Sequence, residues 1–277
     1  MESNYGDEYS AEREIQGGCT ASKEEGTSLM NYFHLVKLFK ERYLNTHKAP
    51  DADLAFDELR SFSGEDLRSY HLTCESKDYI FIVPGYNDFN NLAEYTRFKD
   101  YGYNVVFIGY GKKKTLGLNE SIDLLQWIDY YVSKDSEIKI TLLGLKEGAN
   151  IVIKALRSAL PSNVKNLIFD NPEGDLINDL IRKYSHEFNL NEKLFRLMLG
   201  INTADYSIRN DLRNNKLNLL FIFNKNRKSD EYKSVLNLYN SASGTKKFFY
   251  TDTVKYNFEQ DNYFSTVDLF IREIVNS

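Results

Sequence analysis

The chain of 277 residues is 42% hydrophobic and 27% charged, a balance typical of a globular domain, and its net charge of -5 argues against a dedicated nucleic-acid-binding protein. Its two cysteines, Cys19 and Cys74, form no metal-ligand pattern and favour a reducing compartment. No run of residues approaches the apolar length that spans a bilayer, so the sequence predicts a cytosolic protein without a membrane span, metal or cofactor.

The amino-terminal part of the chain divides into a tail and a helix. Residues 1–27 are polar and acidic without an apolar period, which predicts a disordered tail ahead of a domain over residues 28–277. An amphipathic helix and a linker are predicted within residues 28–50. The polar face of this helix is not strongly basic, so docking on the domain is favoured over attachment to a membrane surface. The apolar residues at helical spacing are Leu29, Phe33, Val36, Phe39 and Tyr43.

A hairpin and a buried strand come next. Leu59 and Phe62 precede a turn over residues 63–66, and the second strand of the hairpin runs from Leu67 to Leu72. The continuous apolar run from Tyr79 to Val83 is typical of a strand that is buried on both faces of a parallel sheet.

Helices and strands then alternate to the end of the chain. The first of these helices ends at Gly102, and the helix with Ile122, Leu125, Ile128 and Val132 on its inward face follows the next strand. Later helices are predicted to end at Pro161 and Gly244, with a helical region from Leu176 to Leu199 and a last helix near the carboxyl terminus. Such alternation predicts an α/β fold: a doubly wound, mostly parallel sheet with the antiparallel hairpin at one edge.

The segment "LLGLKEGAN" predicts a tight turn between a strand and a helix, with Lys146 at its tip. Gly144 and Gly148 stand two residues before and two residues after the tip, where side chains would collide with neighbouring elements. The tip residue of such a turn adopts a strained backbone and projects from the carboxyl edge of the sheet. The new helix adds free amide groups and a positive dipole at the same point.

From about Phe56 to Ser277 the chain resembles the α/β-hydrolase superfamily, and within it the bacterial single-domain hydrolases of the serine aminopeptidase and acyltransferase-like type. The resemblance rests on the order of several motifs. They are "IFIVPGYND", "FKDYGYNVVFIGYG", "LLGLKEGAN", "ALPSNVKNLIFDNPEGD", "LLFIFNKNRKSDEY" and "FFYTDTVKYNF". It implies the α/β-hydrolase fold with a short helical lid over residues 172–205, and a site that in the family is a Ser-His-acid triad.

The residues at the family's catalytic positions differ from that triad. Lys146 stands where the family has its nucleophilic serine, and the acid position falls near Arg227, with Asp230 the closest carboxylate. The histidine position falls at or near Tyr256, and no histidine follows His186. The positions that match the family's active site are Lys146, Glu147, Tyr86, Arg227, Asp230 and Tyr256, next to the elbow glycines Gly144 and Gly148.

Lys146 has three interpretations. It is a tolerated lysine that reaches solvent or pairs with Asp170, Glu173 or Asp230; or it binds an anionic ligand, helped by the helix dipole; or it is a nucleophilic lysine. The third requires an unprotonated amine, whereas a neighbouring carboxylate such as Glu147 favours the protonated form. The pair Ser185-His186 is interpreted as part of the lid.

Replacement at every catalytic position leads to one leading hypothesis and two alternatives. The leading hypothesis is a catalytically inactive α/β-hydrolase homologue that binds a small anionic ligand or a protein partner. The first alternative is an active hydrolase of ester, thioester or peptide substrates that uses non-standard residues. The second is a sensor of anionic or acyl ligands through Lys146.

Overall fold

The structure is a computed structural model that describes residues 29–43, 54–85, 92–174, 176–200, 207–224, 229–251 and 262–275. Its strands are β1 (Ala55–Arg60), β2 (Asp66–Leu72), β3 (Asp78–Val83), β4 (Asn104–Phe107), β5 (Lys139–Leu145), β6 (Val164–Asp170), β7 (Asn218–Asn224) and β8 (Lys246–Thr251). They form one sheet in the order β1-β2-β4-β3-β5-β6-β7-β8. The hairpin strands β1 and β2 pair antiparallel to each other and β2 pairs antiparallel to β4, while the pairings from β4 to β8 are parallel.

Helices cover both faces of this sheet. They are α1 (Leu29–Tyr43), α2 (Leu92–Tyr95), α3 (Leu118–Lys134), α4 (Glu147–Ala155), α5 (Leu176–Glu187), α6 (Glu192–Leu199), α7 (Arg209–Arg213), α8 (Ser229–Ser241) and α9 (Tyr263–Val275), with a 3-10 helix over Thr96–Tyr101 after α2. Alternate residues of β3 serve the two cores: Phe81 packs with α3 and α4, whereas Ile80 and Ile82 pack with the 3-10 helix and α9. The doubly wound, mostly parallel α/β sheet predicted from the sequence is confirmed.

The inward face of α3 agrees with the prediction at Leu125, Ile128 and Val132, which pack in the core, and differs from it at Ile122. Ile122 is 45% exposed, and the buried side chains of the helix include Leu124, Trp127, Ile128 and Tyr131. Trp127 and Tyr131 face the core instead of Ile122, because their buried polar atoms need hydrogen-bond partners. The Trp127 indole donates to the Gly109 carbonyl oxygen at 3.0 Å, and Tyr131 reaches the hairpin.

Two helix boundaries also differ from the sequence prediction. Helix α4 ends at Ala155, six residues before Pro161. The backbone amides that follow donate to carbonyl oxygens three residues earlier in the chain, which is the 3-10 pattern and not the α-helical one. The helical region from Leu176 to Leu199 is two helices, and the Asn191 side chain begins the second by accepting the Leu194 amide at 3.1 Å.

Helix α1 docks on these two helices. The Phe39 ring lies edge-on to the rings of Tyr184 and Phe195, and the Tyr184 hydroxyl donates to the Leu35 carbonyl oxygen at 3.3 Å. Its buried face agrees with the prediction at Val36 and Phe39 and differs at Phe33, which is 65% exposed while Tyr32 is buried. The predicted tail over residues 1–27 lies outside the described residues.

Asp57 on β1 fastens the hairpin to α3. Its carboxylate accepts hydrogen bonds from Tyr130 at 2.8 Å, Tyr131 at 2.9 Å and Lys134 at 2.8 Å, and it lies 3.4 Å from His71 on β2. Burial alone would raise the pKa of Asp57, but the hydrogen bonds from the lysine and the two tyrosines outweigh it and hold the pKa below its ordinary value. The charged carboxylate therefore stabilises the folded state.

We expect Asp57→Asn to lower the free energy of unfolding at pH 7 by about 1.5–3 kcal/mol, the range for hydrogen bonds to a charged group. Because the folded pKa is depressed, the contribution of Asp57 is present above the unfolded pKa and is lost as the pH falls through the folded pKa, below about pH 4. The difference between wild type and variant should therefore shrink in acid, measured by urea unfolding at several pH values. Asp129→Asn, on the exposed side of α3, is the matched control; an equal loss in both variants would contradict the role of Asp57.

Candidate functional site

The turn after β5 has the geometry that the sequence predicted. Lys146 has φ 50° and ψ -115°, a left-handed conformation that side chains rarely adopt, and α4 begins at Glu147. The Lys146 amide donates to the Asp170 carbonyl oxygen at 2.8 Å, and the Lys146 carbonyl oxygen accepts the Ala149 amide at 3.0 Å. The turn is therefore tied to β6 on one side and closed by its own helix on the other.

Both elbow glycines stand where no side chain fits. A Cβ atom on Gly144 would lie 2.4 Å from the Ala149 Cα, and one on Gly148 would lie 2.0 Å from the Val83 carbonyl oxygen. These atoms belong to the backbone, so they cannot move aside as a flexible side chain would. The close approach places the Lys146 side chain, which is partly exposed, at the carboxyl edge of the sheet.

The position of this edge in the sheet favours a binding site. The chain runs from β3 to β4 on one side and then crosses to β5 on the other side of β3, so the order reverses between β3 and β5. Ligands of open α/β sheets bind in the crevice outside the carboxyl ends of the strands at such a switch point. Lys146 lies at the end of β5, at this switch point.

Asp170, at the end of β6, organises the polar groups next to the elbow. Its side chain is fully buried and accepts hydrogen bonds from the Asn171 side-chain amide at 2.9 Å and from the Tyr263 hydroxyl at 2.6 Å. Asn171, at φ 47°, donates its backbone amide to the Ile222 carbonyl oxygen at 2.9 Å and accepts the Asn224 amide at 2.9 Å. These bonds join β6, β7 and the start of α9.

A second set of hydrogen-bonded polar side chains lies beside the segment that follows β4. The Asp123 carboxylate accepts the Gly111 amide at 3.0 Å, and the Glu120 carboxylate accepts the Gly117 amide at 2.9 Å. The Tyr110 hydroxyl donates to the Pro84 carbonyl oxygen at 3.2 Å. Burial first, and then the carboxylates of Glu120, Asp123 and Glu147, raise the pKa of Tyr110 well above its ordinary value. Tyr110 therefore stays a neutral hydrogen-bond donor.

Some predicted site residues can be placed and others cannot. Lys146 and Glu147 share the elbow, and the helix carrying Asp230 begins at Ser229, after β7, although the structure does not describe the Asp230 side chain. Tyr86, Arg227 and Tyr256 lie outside the described residues, so their roles stay predictions. In the described part of the chain, no three His, Cys, Asp or Glu side chains converge as metal ligands would.

The described histidines do not form a dyad with a serine or a cysteine. His71 lies on β2 beside Asp57, and His34 and His186 are exposed on helices. Ser185 is buried on α5, and its hydroxyl has no hydrogen-bond partner within the described segments. The neighbouring pair Ser185-His186 therefore shows no contact of the kind that activates a nucleophile.

Sequence reasoning missed Tyr263 as a partner of Asp170. The two residues are 93 positions apart, and their contact depends on the docking of α9 against the sheet. One local signal was present, since Tyr263, Val267 and Phe270 are spaced along one face of the last helix. That face is buried, and the Tyr263 ring lies edge-on to the rings of Tyr95 and Phe264.

Comparison with known proteins finds similarity in structure alone. No family model matches the sequence, and no curated protein matches it. An esterase of Pyrococcus furiosus is 16% identical, with 84% of this chain and 97% of that chain covered and a TM-score of 0.61. An acetyl xylan esterase from Paenibacillus sp. R4 is 13% identical, with 88% and 96% covered and a TM-score of 0.56. Mouse alpha/beta hydrolase domain-containing protein 10 is 12% identical, with 80% and 98% covered and a TM-score of 0.56.

The sheet order, the elbow and these neighbours define the class. The chain has the α/β-hydrolase fold, as the sequence resemblance implied. No helix in the described segments is both long and apolar enough to cross a bilayer.

We expect Lys146→Gly to raise the free energy of unfolding by about 1 kcal/mol. A non-glycine residue in a sparsely populated conformation costs about 1–3 kcal/mol, which glycine avoids, while the extra freedom of glycine in the unfolded chain costs about 0.4–1 kcal/mol. Lys146→Ala is the matched control, because alanine removes the amine but keeps the strain. Thermal and urea unfolding measure both variants; a Lys146→Gly variant no more stable than Lys146→Ala would show that the turn is not strained.

Proposed function

We propose that the chain is an α/β-hydrolase-fold protein that binds an anionic ligand through Lys146 and does not hydrolyse esters by a Ser-His-acid mechanism. The observation that carries this proposal is the amine at the strained tip of the elbow. A Ser-His-acid mechanism needs a hydroxyl or thiol at that point and a base to take its proton. An amine that carries a proton is a hydrogen-bond donor and a positive charge instead.

The strain at Lys146 supports a role in binding over a passive lysine. A backbone in this conformation costs about 1–3 kcal/mol, and such conformations cluster at functional sites. The amides at the start of α4 add donors for a negative group at the same place, since Glu147 and Gly148 open the helix. A carboxylate or acyl phosphate at this edge would therefore meet the lysine amine and the first backbone amides of α4 together. The Glu147 carboxylate would oppose a highly charged anion, so we expect a preference for singly charged groups.

Hydrolysis by non-standard residues is the second candidate. Two observations favour it: the solved structures named above include esterases, and the elbow keeps the backbone geometry of a nucleophile turn. In this case Lys146, or a residue outside the described segments, would supply the nucleophile or the base. The two candidates differ in whether Lys146 supports turnover or only binding.

The test compares wild type, Lys146→Ala and Lys165→Ala, a control on an exposed lysine of the neighbouring strand β6. Each protein is assayed with p-nitrophenyl acetate, an acyl thioester and a fluorophosphonate probe, and by thermal shift with acetate, succinate and acetyl phosphate. We expect neither turnover nor labelling above background in any of the three. We expect an anion-dependent rise in Tm in wild type and Lys165→Ala, which Lys146→Ala loses.

Two results would count against this function. Turnover or labelling that wild type and Lys165→Ala share and Lys146→Ala loses would establish the hydrolase. The absence of any anion effect on the Tm of wild type would refute the binding role of Lys146.

A further inference from the structure

Asp170 is hydrogen-bonded both to the elbow and to the last helix. Its backbone carbonyl oxygen accepts the amide of Lys146 at 2.8 Å, and its carboxylate accepts the hydroxyl of Tyr263 at 2.6 Å. A buried carboxylate is costly to keep unless it is hydrogen-bonded, and Asp170 has no exposed surface. The bond to Tyr263 is therefore a fixed part of the folded state. The elbow and the start of α9 are therefore both hydrogen-bonded to the same residue, Asp170.

The order of these three residues along the chain has a chemical parallel. In α/β-hydrolases the triad follows the order nucleophile, acid, histidine, and the acid accepts a hydrogen bond that fixes the imidazole. Lys146, Asp170 and Tyr263 occur in the same order, and Asp170 accepts a hydrogen bond from an aromatic ring that enters at the carboxyl edge. The ring is a phenol, which at neutral pH donates a proton in a hydrogen bond and is a poor base.

We propose that Asp170 and Tyr263 occupy the acid and base positions of this site, with the Tyr263 phenol in the place of an imidazole. This inference rests on the proposed function and explains why the site lacks hydrolysis: the acid is retained, but its partner cannot take a proton from a nucleophile. It also assigns the third position to Tyr263, whereas the sequence resemblance placed it at or near Tyr256. The acid is then Asp170, and Asp230 is not needed.

A purely structural pair would look similar, so a matched pair elsewhere in the fold is needed as a control. The Tyr103 hydroxyl donates to the Asp268 carboxylate at 2.7 Å, on the side of the sheet where β4 begins. It has the same chemistry and joins the same helix α9 to the sheet, but it lies away from the elbow. Any effect that is special to the site should appear with Tyr263 and be absent with Tyr103.

The experiment restores the two missing groups together. The proteins are wild type, Lys146→Ser, Lys146→Ser/Tyr263→His, Lys146→Ser/Tyr103→His and Lys146→Ser/Tyr263→His/Asp170→Asn. In the restored site the serine oxygen bonds to the acetyl carbon of p-nitrophenyl acetate and gives its proton to the introduced imidazole, while the bond to p-nitrophenolate breaks. Water then hydrolyses the acetyl-serine, so that acetate leaves and the serine recovers its proton.

We expect Lys146→Ser/Tyr263→His to release p-nitrophenolate at least about 100-fold faster than Lys146→Ser, the lower range for a positioned general base. The Tyr103→His version should match Lys146→Ser, and Asp170→Asn should remove most of the gain. A second readout needs no turnover: NMR titration should find the imidazole of Tyr263→His at least tenfold more basic with Asp170 than with Asp170→Asn.

Several outcomes would overturn this assignment. Equal rates in Lys146→Ser and Lys146→Ser/Tyr263→His would do so, and so would an imidazole that titrates alike with and without Asp170→Asn. Tyr263→Phe keeps the ring and checks folding. If that variant folds and Tyr263→His does not, an imidazole cannot take the place of the phenol beside Asp170, and the assignment is wrong. Turnover by wild type would instead refute the proposed function, while the NMR comparison would still judge the assignment.

Discussion

The elbow depends on backbone meeting backbone with no space for a side chain. Gly148 approaches the end of β3 and Gly144 approaches the first turn of α4, so β3, β5 and α4 are fixed relative to one another at this point. With both neighbours held so closely, the residue between them takes a left-handed backbone. The packing around the tip therefore maintains its strained conformation. The side chain at that tip decides what chemistry the edge of the sheet presents.

Hydrogen bonds at the end of the neighbouring strand β6 also hold the elbow in place. The Lys146 amide is held by the Asp170 carbonyl oxygen, and the Asp170 carboxylate is held by Tyr263 and Asn171. Asn171 continues the network to β7. Interior hydrogen bonds of this kind are stronger than in water, and a buried polar group that lost its partner would be costly, so the edge is a rigid platform. The α/β-hydrolase fold is kept here, and the groups at the elbow and beside Asp170 are an amine and a phenol.

Local sequence was sufficient for the fold and for the elbow. Strands such as β4 are buried on both faces, and their sequences are continuous apolar runs. The elbow glycines are visible in the sequence because backbone atoms leave no space for a side chain at either position. The inward face of α3 could be obtained only in part in this way, because Ile122 is exposed. An apolar period treats Trp127 and Tyr131 as hydrophobic residues, whereas their polar atoms must reach Gly109 and Asp57 in the folded protein.

The hydrogen bond between Asp170 and Tyr263 also could not be predicted from the sequence. The sequence named Asp170 as a carboxylate that could pair with Lys146, but its bond to Tyr263 exists only because α9 packs back onto the sheet. A motif alignment places a residue by its distance along the chain from the last strand, whereas the contact is set by where the helix begins. The helix start and the packed face together identify Tyr263, and neither is fixed by a short motif.

We propose that the elbow presents a lysine amine to a bound anion and forms no acyl intermediate. A crystal structure of the wild-type protein grown with acetate and then exposed to p-nitrophenyl acetate tests it most directly. The account predicts a carboxylate within about 3 Å of the Lys146 Nζ atom, the distance of a charge-assisted hydrogen bond, with Tyr263 still bonded to Asp170. An acetyl group covalently attached to any side chain at this edge, or an empty crevice beside Lys146, would contradict it.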